Sequence, residues 1–206
     1  MIHEITHPLV KSLVNHLRST RMDALRFRHT VAELARLLAH EAFASSPLVK
    51  KSIPIWKGEQ TFTFMDEEAL VFVPILRAGL PMLESAIALF PDASSGFIAM
   101  KRDEVSHESV LYYDRLPDCS DKTVIVLDPM IATGGSLCDA LELIKSKKPK
   151  KIISLNIIAS PEGLAAVSDK HSDIELYIAQ VDDKLNTDMF ILPGLGDAGD
   201  RAYNTL

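Results

Sequence analysis

The 206-residue sequence predicts a single α/β domain, residues 1–206, with a mostly parallel sheet of about five strands flanked by helices. The first observation is an alternation of short β-branched runs with helical patterns over the later two-thirds of the chain. The second is a composition of 47% hydrophobic and 24% charged residues, which is typical of a globular domain with one substantial core. No internal repeat or low-complexity linker divides the chain, so we expect right-handed crossovers within one sheet.

The N-terminal part predicts two helices followed by a β-hairpin. Apolar residues recur at helical spacing over residues 9–17 and 25–43, and Asp23 is a possible N-cap of the second helix. Apolar and polar residues alternate over residues 51–64 around a glycine-containing turn, which predicts a hairpin. Because Pro54 cannot serve a central strand, we expect the hairpin at the edge of the sheet.

The remaining elements alternate between strands and helices. Strand-like runs are predicted at residues 69–73, 96–100, 123–127, 151–158 and 174–178. Helical patterns lie between several of them, at residues 81–90, 136–147 and 161–170. Ligands of open α/β sheets bind beyond the carboxyl ends of the strands, so polar residues that directly follow a strand are the candidate site residues.

The segment at residues 123–136 gives the strongest chemical signal, because an apolar run stops at Asp128 and a Thr-Gly-Gly-Ser loop precedes a helix. A carboxylate in that position suits the hydroxyl groups of a sugar. Backbone N–H groups, two hydroxyls and a positive helix end then suit a phosphate, and they come from Ala132, Thr133, Gly134, Gly135 and Ser136. The segment therefore predicts a ribose-phosphate pocket. The alternative is an ordinary strand-to-helix turn with Thr133 or Ser136 as the N-cap.

Three other segments are candidates for the same site. Arg77 follows a buried run and precedes Ala78 and Gly79, so its guanidinium could bind a phosphate in a bidentate way, or it could be an ordinary surface arginine near a strand end. Residues 103–114 follow the Lys101-Arg102 pair without helical or strand period, which is typical of either a lid or an ordinary surface loop. Residues 190–200 contain three glycines, one proline and two acids, which predicts a tight turn with exposed backbone groups rather than a frayed tail.

Composition and spacing exclude several classes of function. A net charge of −6, a pI near 5.6 and the absence of a basic tail argue against nucleic-acid binding. Cys119 and Cys138 are too few for a disulfide framework or a zinc site. We find no signal peptide and no apolar run of membrane-spanning length, so we expect a cytoplasmic protein with reduced thiols and no membrane partner.

Two motif matches are misleading. The G-x-G-x-x-G pattern of residues 194–199 would suggest a dinucleotide, but only seven residues follow it, too few for the helix, strand and ribose acid that such a site needs. Residues 3–7 spell H-E-x-x-H at what we expect to be a ragged start of the chain. A zinc peptidase needs both histidines on one helix, whereas Pro8 disfavours helical backbone at His7.

Taken together, these motifs resemble those of the uracil phosphoribosyltransferases, within the type I phosphoribosyltransferase fold. The likeness runs in order through H-P-L at 7–9, P-I-L-R-A-G-L at 74–80, R-D-E at 102–104, L-D-P-M-I-A-T-G-G-S at 127–136, A-S-P-E-G at 159–163 and P-G-L-G-D-A-G-D at 193–200. Pro129 stands where the purine and orotate branches carry a second acid. The chain departs from the family at V-S-H-E-S, residues 105–109, which leaves the lid contacts open. The resemblance implies a C-terminal hood segment at residues 190–200.

The resemblance also implies a reaction: 5-phosphoribosyl 1-diphosphate (PRPP) and uracil give UMP and diphosphate, as a step of pyrimidine salvage. It implies that Mg²⁺ enters bound to PRPP, without a direct protein ligand. The implied catalytic residues are Asp128 for the ribose hydroxyls, Arg77 and Arg102 for the diphosphate, and Asp197 for the phosphoribosyl substrate. The implied PRPP-binding set adds Pro129, Met130, Ile131, Ala132, Thr133, Gly134, Gly135 and Ser136. The implied uracil-binding set, acting largely through backbone, is Ile191, Gly196, Asp197 and Ala198.

Two other functions stay open at this point. One is a regulator on the same fold that binds RNA without catalysis, and the intact C-terminal turn and the acidic balance argue against it. The other is a sister transferase acting on a different base, and Pro129 argues against it. The resemblance further suggests a homo-oligomer, dimer or tetramer, and GTP as a candidate activator.

Overall fold

A computed structural model describes residues 1–102 and 109–205, and for residues 101, 102, 109 and 110 it describes the backbone alone. The helices are α1 Pro8–Leu17, α2 Ala24–Ala42, α3 Leu80–Leu89, α4 Gly135–Ser146, α5 Pro161–Lys170 and α6 Ala198–Tyr203, with a 3₁₀ turn at Glu67–Ala69. The longer strands are β2 Leu48–Ile55, β3 Gly58–Met65, β4 Leu70–Leu76, β6 Phe97–Arg102, β7 Ser109–Arg115, β8 Thr123–Leu127, β10 Lys151–Ala159 and β11 Glu175–Val181. Short strands are β1 Ile2–Glu4, β5 Ser94–Ser95, β9 Met130–Ile131, β12 Lys184–Leu185 and β13 Ile191–Leu192.

The main sheet has the order β1-β11-β10-β8-β4-β6-β7. Its paired strands run parallel except for β7, which lies antiparallel to β6. The five strand-like runs of the sequence are β4, β6, β8, β10 and β11, which occupy the middle of this order. The predicted α/β fold with a mostly parallel sheet and flanking helices is therefore confirmed.

The edges of the sheet differ from the sequence predictions. The chain does not begin raggedly, because β1 pairs with β11 and the Met1 ammonium group donates to the Ile174 carbonyl at 2.6 Å. Residues 109–114, predicted as part of a lid or loop, form most of β7, whereas residues 103–108 of that prediction lie outside the described residues. The β2–β3 hairpin is a separate two-stranded sheet, since β1 and β7 occupy the edges where it was expected.

Helices cover both faces of the main sheet. α1, α2, α3 and α6 share one apolar cluster with alternate residues of β4, β8 and β10, among them Phe72 and Leu127. α4 and α5 share the second cluster with the intervening residues, such as Val126. Because successive side chains of a strand point to opposite faces, apolar runs without alternation supply both clusters.

Local features bear on several smaller predictions. The Asp23 carboxylate caps α2 by accepting a hydrogen bond from the Arg26 backbone at 2.8 Å. His7 caps α1 through its Nδ1 atom while His3 lies on β1, so the two histidines do not share a helix face. Cys119 and Cys138 are buried and not disulfide-bonded. None of the described helices combines the length and apolar character that crossing a membrane requires.

Replacing Phe72 with alanine should test the packing of the first cluster. Phe72 is fully buried and stacks on Phe90 with ring centroids 5.6 Å apart. We expect the free energy of unfolding to fall by about 3–5 kcal/mol, because a large cavity remains. Urea denaturation measures the change, with Phe190→Ala as the control at a half-exposed phenylalanine. An equal loss of stability in both variants would contradict this packing.

Candidate active site

A cavity of about 950 Å³ opens at the carboxyl ends of β4, β6 and β8. Its lining comes from five parts of the chain: the end of β4 with the turn after it, Ala99 and Met100 on β6, Tyr112 on β7, the segment after β8, and the hood segment. Ten of the predicted site residues line this cavity: Arg77, Asp128, Met130, Ala132, Thr133, Gly134, Gly135, Ser136, Asp197 and Ala198. The structure thus brings together, in one cavity, side chains from distant parts of the sequence.

The turn after β4 places Arg77 next to the end of β8. β4 and β8 are adjacent parallel strands, so Leu76 and Leu127 end at the same edge of the sheet. A Cβ at Gly79 would lie 2.3 Å from the carbonyl oxygen of Leu127, which shows that the turn packs directly on β8. Any larger residue at this position would push Arg77 and Asp128 apart.

Asp128 is the buried charged group of the cavity. Its Oδ1 atom accepts a hydrogen bond from the Met130 backbone at 3.3 Å. Burial raises the pKa of Asp128 to about 7, and the Met130 hydrogen bond acts in the opposite direction. A ligand that donates hydrogen bonds to this carboxylate, or brings a cation near it, would favour the ionised form.

The loop between β9 and α4 packs closely against α5 at Gly134. Gly134 precedes α4 with a φ of +79°, and a Cβ there would lie 2.7 Å from the carbonyl oxygen of Gly163. Gly134 is also the N-cap residue and makes no side-chain capping bond, so the alternative cap by Thr133 or Ser136 is wrong. The first turn of α4 lines the cavity, and the N–H groups at a helix N-terminus suit an anion.

Arg77 connects the cavity to the hood segment. Its Nη2 atom donates to Asp200 Oδ1 at 3.0 Å, and Nη1 donates to the Thr205 hydroxyl at 3.1 Å. The Thr205 hydroxyl also donates to Asp200 at 2.6 Å. The Thr205 and Arg77 hydrogen bonds lower the pKa of Asp200, so that carboxylate stays ionised.

Two arginines hold the hood segment in place. Arg18 makes a bidentate pair with the buried Asp182, at 2.6 and 2.8 Å, and donates to the Gly194 carbonyl at 2.7 Å. Asp182 in turn accepts from the Gly194 N–H at 2.9 Å. Arg201 donates to the carbonyls of Leu195 and Ser19, at 2.7 and 2.6 Å. These contacts fix the backbone of a turn whose Ile191, Leu195 and Ala198 side chains also pack in the first apolar cluster.

Some predicted site residues do not line the cavity. Ile131 and Ile191 are buried in the apolar clusters, and the Pro129 carbonyl accepts from the Ile157 and Ile158 backbone. Gly196 forms part of the hood with a φ of +78° but is not in the lining. Arg102 ends β6, and its side chain lies outside the described part. For these residues the sequence-based roles stay predictions.

Sequence reasoning missed other lining residues. Tyr112 reaches the cavity from β7, and the aromatic pair at 112–113 was an unused signal for a strand. Asp200 stood in the hood motif without an assigned role, because its contact with Arg77 spans 123 residues. No local pattern reports such a contact.

The oxygen donors of the cavity are relevant to a metal. In the described ranges 1–102 and 109–205, no three His, Cys, Asp or Glu side chains form a group that could hold a metal ion. The described lining includes the carboxylates of Asp128, Asp197 and Asp200 and the hydroxyls of Thr133 and Ser136. Such hard oxygen ligands fit Mg²⁺ that is held mainly by substrate phosphates.

Asp128→Asn should stabilise the ligand-free protein in a pH-dependent way. Because the folded-state pKa of about 7 exceeds the unaltered value of 3.8, the native state binds the proton more tightly, and stability falls as pH rises from about 4 to about 7. Asparagine removes this loss. We expect the gain in free energy of unfolding to be about 2–3 kcal/mol larger at pH 8 than at pH 5.

Urea denaturation at the two pH values measures this gain. Asp188→Asn, at an exposed aspartate, is the control and should show little difference between pH 5 and pH 8. A gain of equal size at both pH values for Asp128→Asn would mean that burial does not govern this carboxylate.

Comparison with known proteins identifies the family. A family model described as uracil phosphoribosyltransferase matches residues 4–205. The uracil phosphoribosyltransferase of Aquifex aeolicus is 45% identical over 203 residues, which cover 98% of each chain. That of Campylobacter jejuni subsp. jejuni is 42% identical over 208 residues, covering 100% of this chain and 99% of the relative.

Solved structures agree with the sequence relatives. A structure of a protein from Aquifex aeolicus has a TM-score of 0.96 at 44% identity and covers 100% of this chain and 99% of its own. A hypoxanthine-guanine phosphoribosyltransferase from Bacillus anthracis, with a TM-score of 0.51 and 18% identity over 82% of this chain and 83% of its own, shares the fold alone. Since the family model and the relatives span almost the whole sequence, this chain belongs to the uracil phosphoribosyltransferase family.

Proposed function

We propose that this protein transfers the phosphoribosyl group of PRPP to N1 of uracil, releasing diphosphate and forming UMP in pyrimidine salvage. One observation carries the proposal: a single cavity contains the buried Asp128, the loop at the start of α4, Arg77 and the hood segment. In that order, they would supply a carboxylate to bind ribose hydroxyls, N–H groups and hydroxyls to bind phosphate, a cation to bind diphosphate and a rigid backbone to bind a base.

The donor site is proposed as follows. Asp128 accepts hydrogen bonds from the ribose hydroxyls, and residues 132–136 bind the 5′-phosphate through N–H groups and hydroxyls. Pro129, Met130 and Ile131 set the path of the chain between these two contacts, and Asp197 reaches the phosphoribosyl group from the hood. Asp128→Asn should weaken PRPP binding although it stabilises the free fold, because a charge-assisted hydrogen bond becomes neutral.

The chemical step needs charge stabilisation at two places. As the bond from carbon 1 to diphosphate breaks, the sugar gains oxocarbenium character and the leaving group gains negative charge. Arg77 and Arg102 are proposed to stabilise the leaving diphosphate. N1 of uracil attacks carbon 1 from the opposite face, and the protein contributes mainly by holding both substrates in line.

Mg²⁺ is proposed to enter bound to PRPP. The ion would neutralise charge on the diphosphate without a direct protein ligand, so the carboxylates of the cavity would act on it only from a distance. Asp128 and Asp197 are the carboxylates from the predicted site that line the cavity.

The hood is proposed to recognise uracil through its backbone. Uracil presents two carbonyl acceptors on either side of the N3–H donor, so a backbone carbonyl between two N–H groups is complementary to it. Ile191, Gly196, Asp197 and Ala198 are the proposed residues. The Arg18–Asp182 pair supports this role because it fixes the adjacent Gly194 turn.

Three broader properties are also proposed. A homo-oligomer, dimer or tetramer, is supported by the separate β2–β3 hairpin, which exposes Trp56 and Phe62, and sedimentation analysis tests it. GTP is a candidate activator, tested by initial rates with and without GTP. A cytoplasmic location is tested by fractionation of cells that produce the protein.

Incubation with labelled uracil, PRPP and Mg²⁺ tests the main proposal. We expect labelled UMP, with no product when Mg²⁺ is removed by a chelator. Adenine, hypoxanthine and orotate in place of uracil test a sister transferase. A protein that binds PRPP but forms no UMP from uracil would contradict the proposed activity.

Arg77→Lys should reduce catalysis more than stability. Lysine has no planar fork, so it cannot bind diphosphate in a bidentate way or keep both contacts to Asp200 and Thr205. Loss of one charge-assisted contact predicts a fall in kcat/KM for PRPP of about 10- to 100-fold. Steady-state kinetics measure it, with Arg36→Lys on α2 as the control, where the arginine pairs with Glu33 at the surface. Parent-like kinetics in Arg77→Lys would remove Arg77 from the site.

Ala198→Pro should abolish uracil use while PRPP binding is mostly kept. Ala198 is the first residue of α6, where proline is well tolerated. Asp197 before it has extended backbone, which is the conformation that a residue preceding proline prefers. The variant deletes one N–H without adding charge. Ala198→Gly keeps that N–H and is the matched control. Kinetics with uracil and calorimetry with PRPP measure the two effects, and full activity of the proline variant would exclude base recognition by this N–H.

The same recognition predicts that the parent protein rejects cytosine. A site that hydrogen-bonds its substrate discriminates by about 10⁴-fold against an analogue that leaves buried groups unpaired. The ratio of kcat/KM for uracil and cytosine measures it. Comparable use of the two bases would contradict backbone recognition of uracil.

A further inference from the structure

β10 follows the donor-site segment with a constant offset of 28 residues. β8 pairs with it from Thr123–Lys151 to Leu127–Leu155, and β9 resumes at Met130–Ile158 and Ile131–Ala159. Two side chains continue the same offset, since Asn156 on β10 contacts residue 128, and Ser160, directly after β10, contacts residue 132. The segment that carries the site residues is therefore laid along one buried strand.

The backbone ladder is interrupted at Asp128. The Asp128 N–H donates to the Leu155 carbonyl at 3.3 Å, and in a regular parallel ladder the Asp128 carbonyl would then accept from the Ile157 N–H. That N–H instead donates to the Pro129 carbonyl at 3.1 Å. The Asp128 carbonyl takes its hydrogen bond from a side chain, Asn156 Nδ2, at 2.7 Å.

The orientation of the Asn156 amide is set by a second buried side chain. Ser154 lies two residues earlier on the same face of β10, and its hydroxyl donates to Asn156 Oδ1 at 2.8 Å. Both residues are fully buried. With its oxygen engaged by Ser154, the amide presents its NH₂ group to Asp128.

Ser160 holds the other end of the segment. Its hydroxyl donates to the Ala132 carbonyl at 2.6 Å and accepts from the Gly163 N–H at 2.9 Å. Gly163 packs closely there, since a Cβ on it would lie 2.2 Å from the Ala132 oxygen. Because a trans peptide group is planar, fixing the Ala132 carbonyl toward β10 directs the Thr133 N–H the opposite way.

We propose that Asn156 and Ser160 are positioning residues for the donor site, which hold the carbonyls of Asp128 and Ala132 and so aim the carboxylate and the phosphate loop at PRPP. The proposal rests on the proposed function for the identity of the ligand. The residues around Asn156 on β10, at positions 152, 153, 155, 157 and 158, are apolar. A buried amide and hydroxyl among them are costly unless hydrogen-bonded, and their partners are the two ends of this segment.

Asn156→Leu and Ser160→Ala test the proposal. The first removes the amide donor at nearly constant side-chain volume, and the second removes only the hydroxyl oxygen and its proton. Calorimetry with PRPP and Mg²⁺ gives Kd, and kinetics give KM for each substrate. We expect the Kd and KM for PRPP to rise about 10-fold, with the KM for uracil within about 2-fold of the parent, because small displacements of binding groups act on the donor alone. Ser160→Thr keeps a hydroxyl and should restore most of the affinity.

Two control variants separate positioning from stability. Ile157→Val removes one methylene from β10 beside Asn156, and Asp23→Ala removes the N-cap of α2, as Ser160→Ala removes that of α5. Both controls should lower Tm while PRPP affinity stays at the parent value. If Asn156→Leu and Ser160→Ala lower Tm but leave PRPP affinity unchanged, both residues are structural and the proposal is wrong.

The outcomes remain distinct in other cases. If Asn156→Leu does not fold, the Ser160→Ala and Ser160→Thr pair decides, and parent affinity in Ser160→Ala overturns the proposal. A parent protein that binds PRPP but forms no UMP would contradict uracil transfer alone, since calorimetry uses no uracil. A parent that does not bind PRPP would overturn both.

Discussion

The burial of one carboxylate at the end of β8 is the constraint on which the site depends. Desolvation raises the pKa of Asp128 to about 7, and the 3.3 Å bond from Met130 compensates only in part. The free protein is thus less stable than it would be with a neutral group there, and the missing stabilisation can come from sugar hydroxyls. A site that is destabilised without its ligand is a common cost of function. The Asn156 contact to the Asp128 backbone matters because it orients this carboxylate. A buried carboxylate pointing elsewhere would still destabilise the free protein by its desolvation but would not bind the sugar hydroxyls.

The hood segment shows a second way to build a precise site, namely by fixing backbone with charged side chains. The partly buried Arg18–Asp182 pair is weak evidence for stability, since desolvation offsets much of the attraction. Its value is geometric, because Asp182 receives both the guanidinium and the Gly194 N–H. Arg201 lies over the Phe27 ring at 4.5 Å and donates to carbonyls of the hood and of the residues after α1. A base recognised by backbone groups requires such rigidity, because discrimination depends on leaving the wrong base unpaired.

The middle of the fold could be predicted from sequence because buried parallel strands are long apolar runs, and Asp128 stood out where such a run stopped at an acid. The strands at the edges of the sheet could not be predicted from the sequence. β1 has three residues, too short for any period, and β7 was hidden by the polar stretch before it. The β2–β3 hairpin was predicted correctly as an element, but its predicted position at the edge of the main sheet was wrong, because β1 and β7 are the edge strands. Within the site, the Arg77–Asp200 contact and the Asn156 contact are long-range, at separations of 123 and 28 residues, and a polar residue within a strand run carries no sign of its partner.

The proposed role of Arg77 shows how an acidic protein can bind an anionic substrate through one well-placed cation. The net charge is −6, and Arg77 already pairs with Asp200 in the free protein. A guanidinium has five N–H donors in a planar fork, whereas the Asp200 and Thr205 contacts use one each. The remaining donors can serve a diphosphate while the hood contact is kept, so one side chain can hold the leaving group and the base-binding segment together. A lysine ammonium, with three donors at a single point, could not span both, so the proposed role of this position needs a guanidinium rather than positive charge alone.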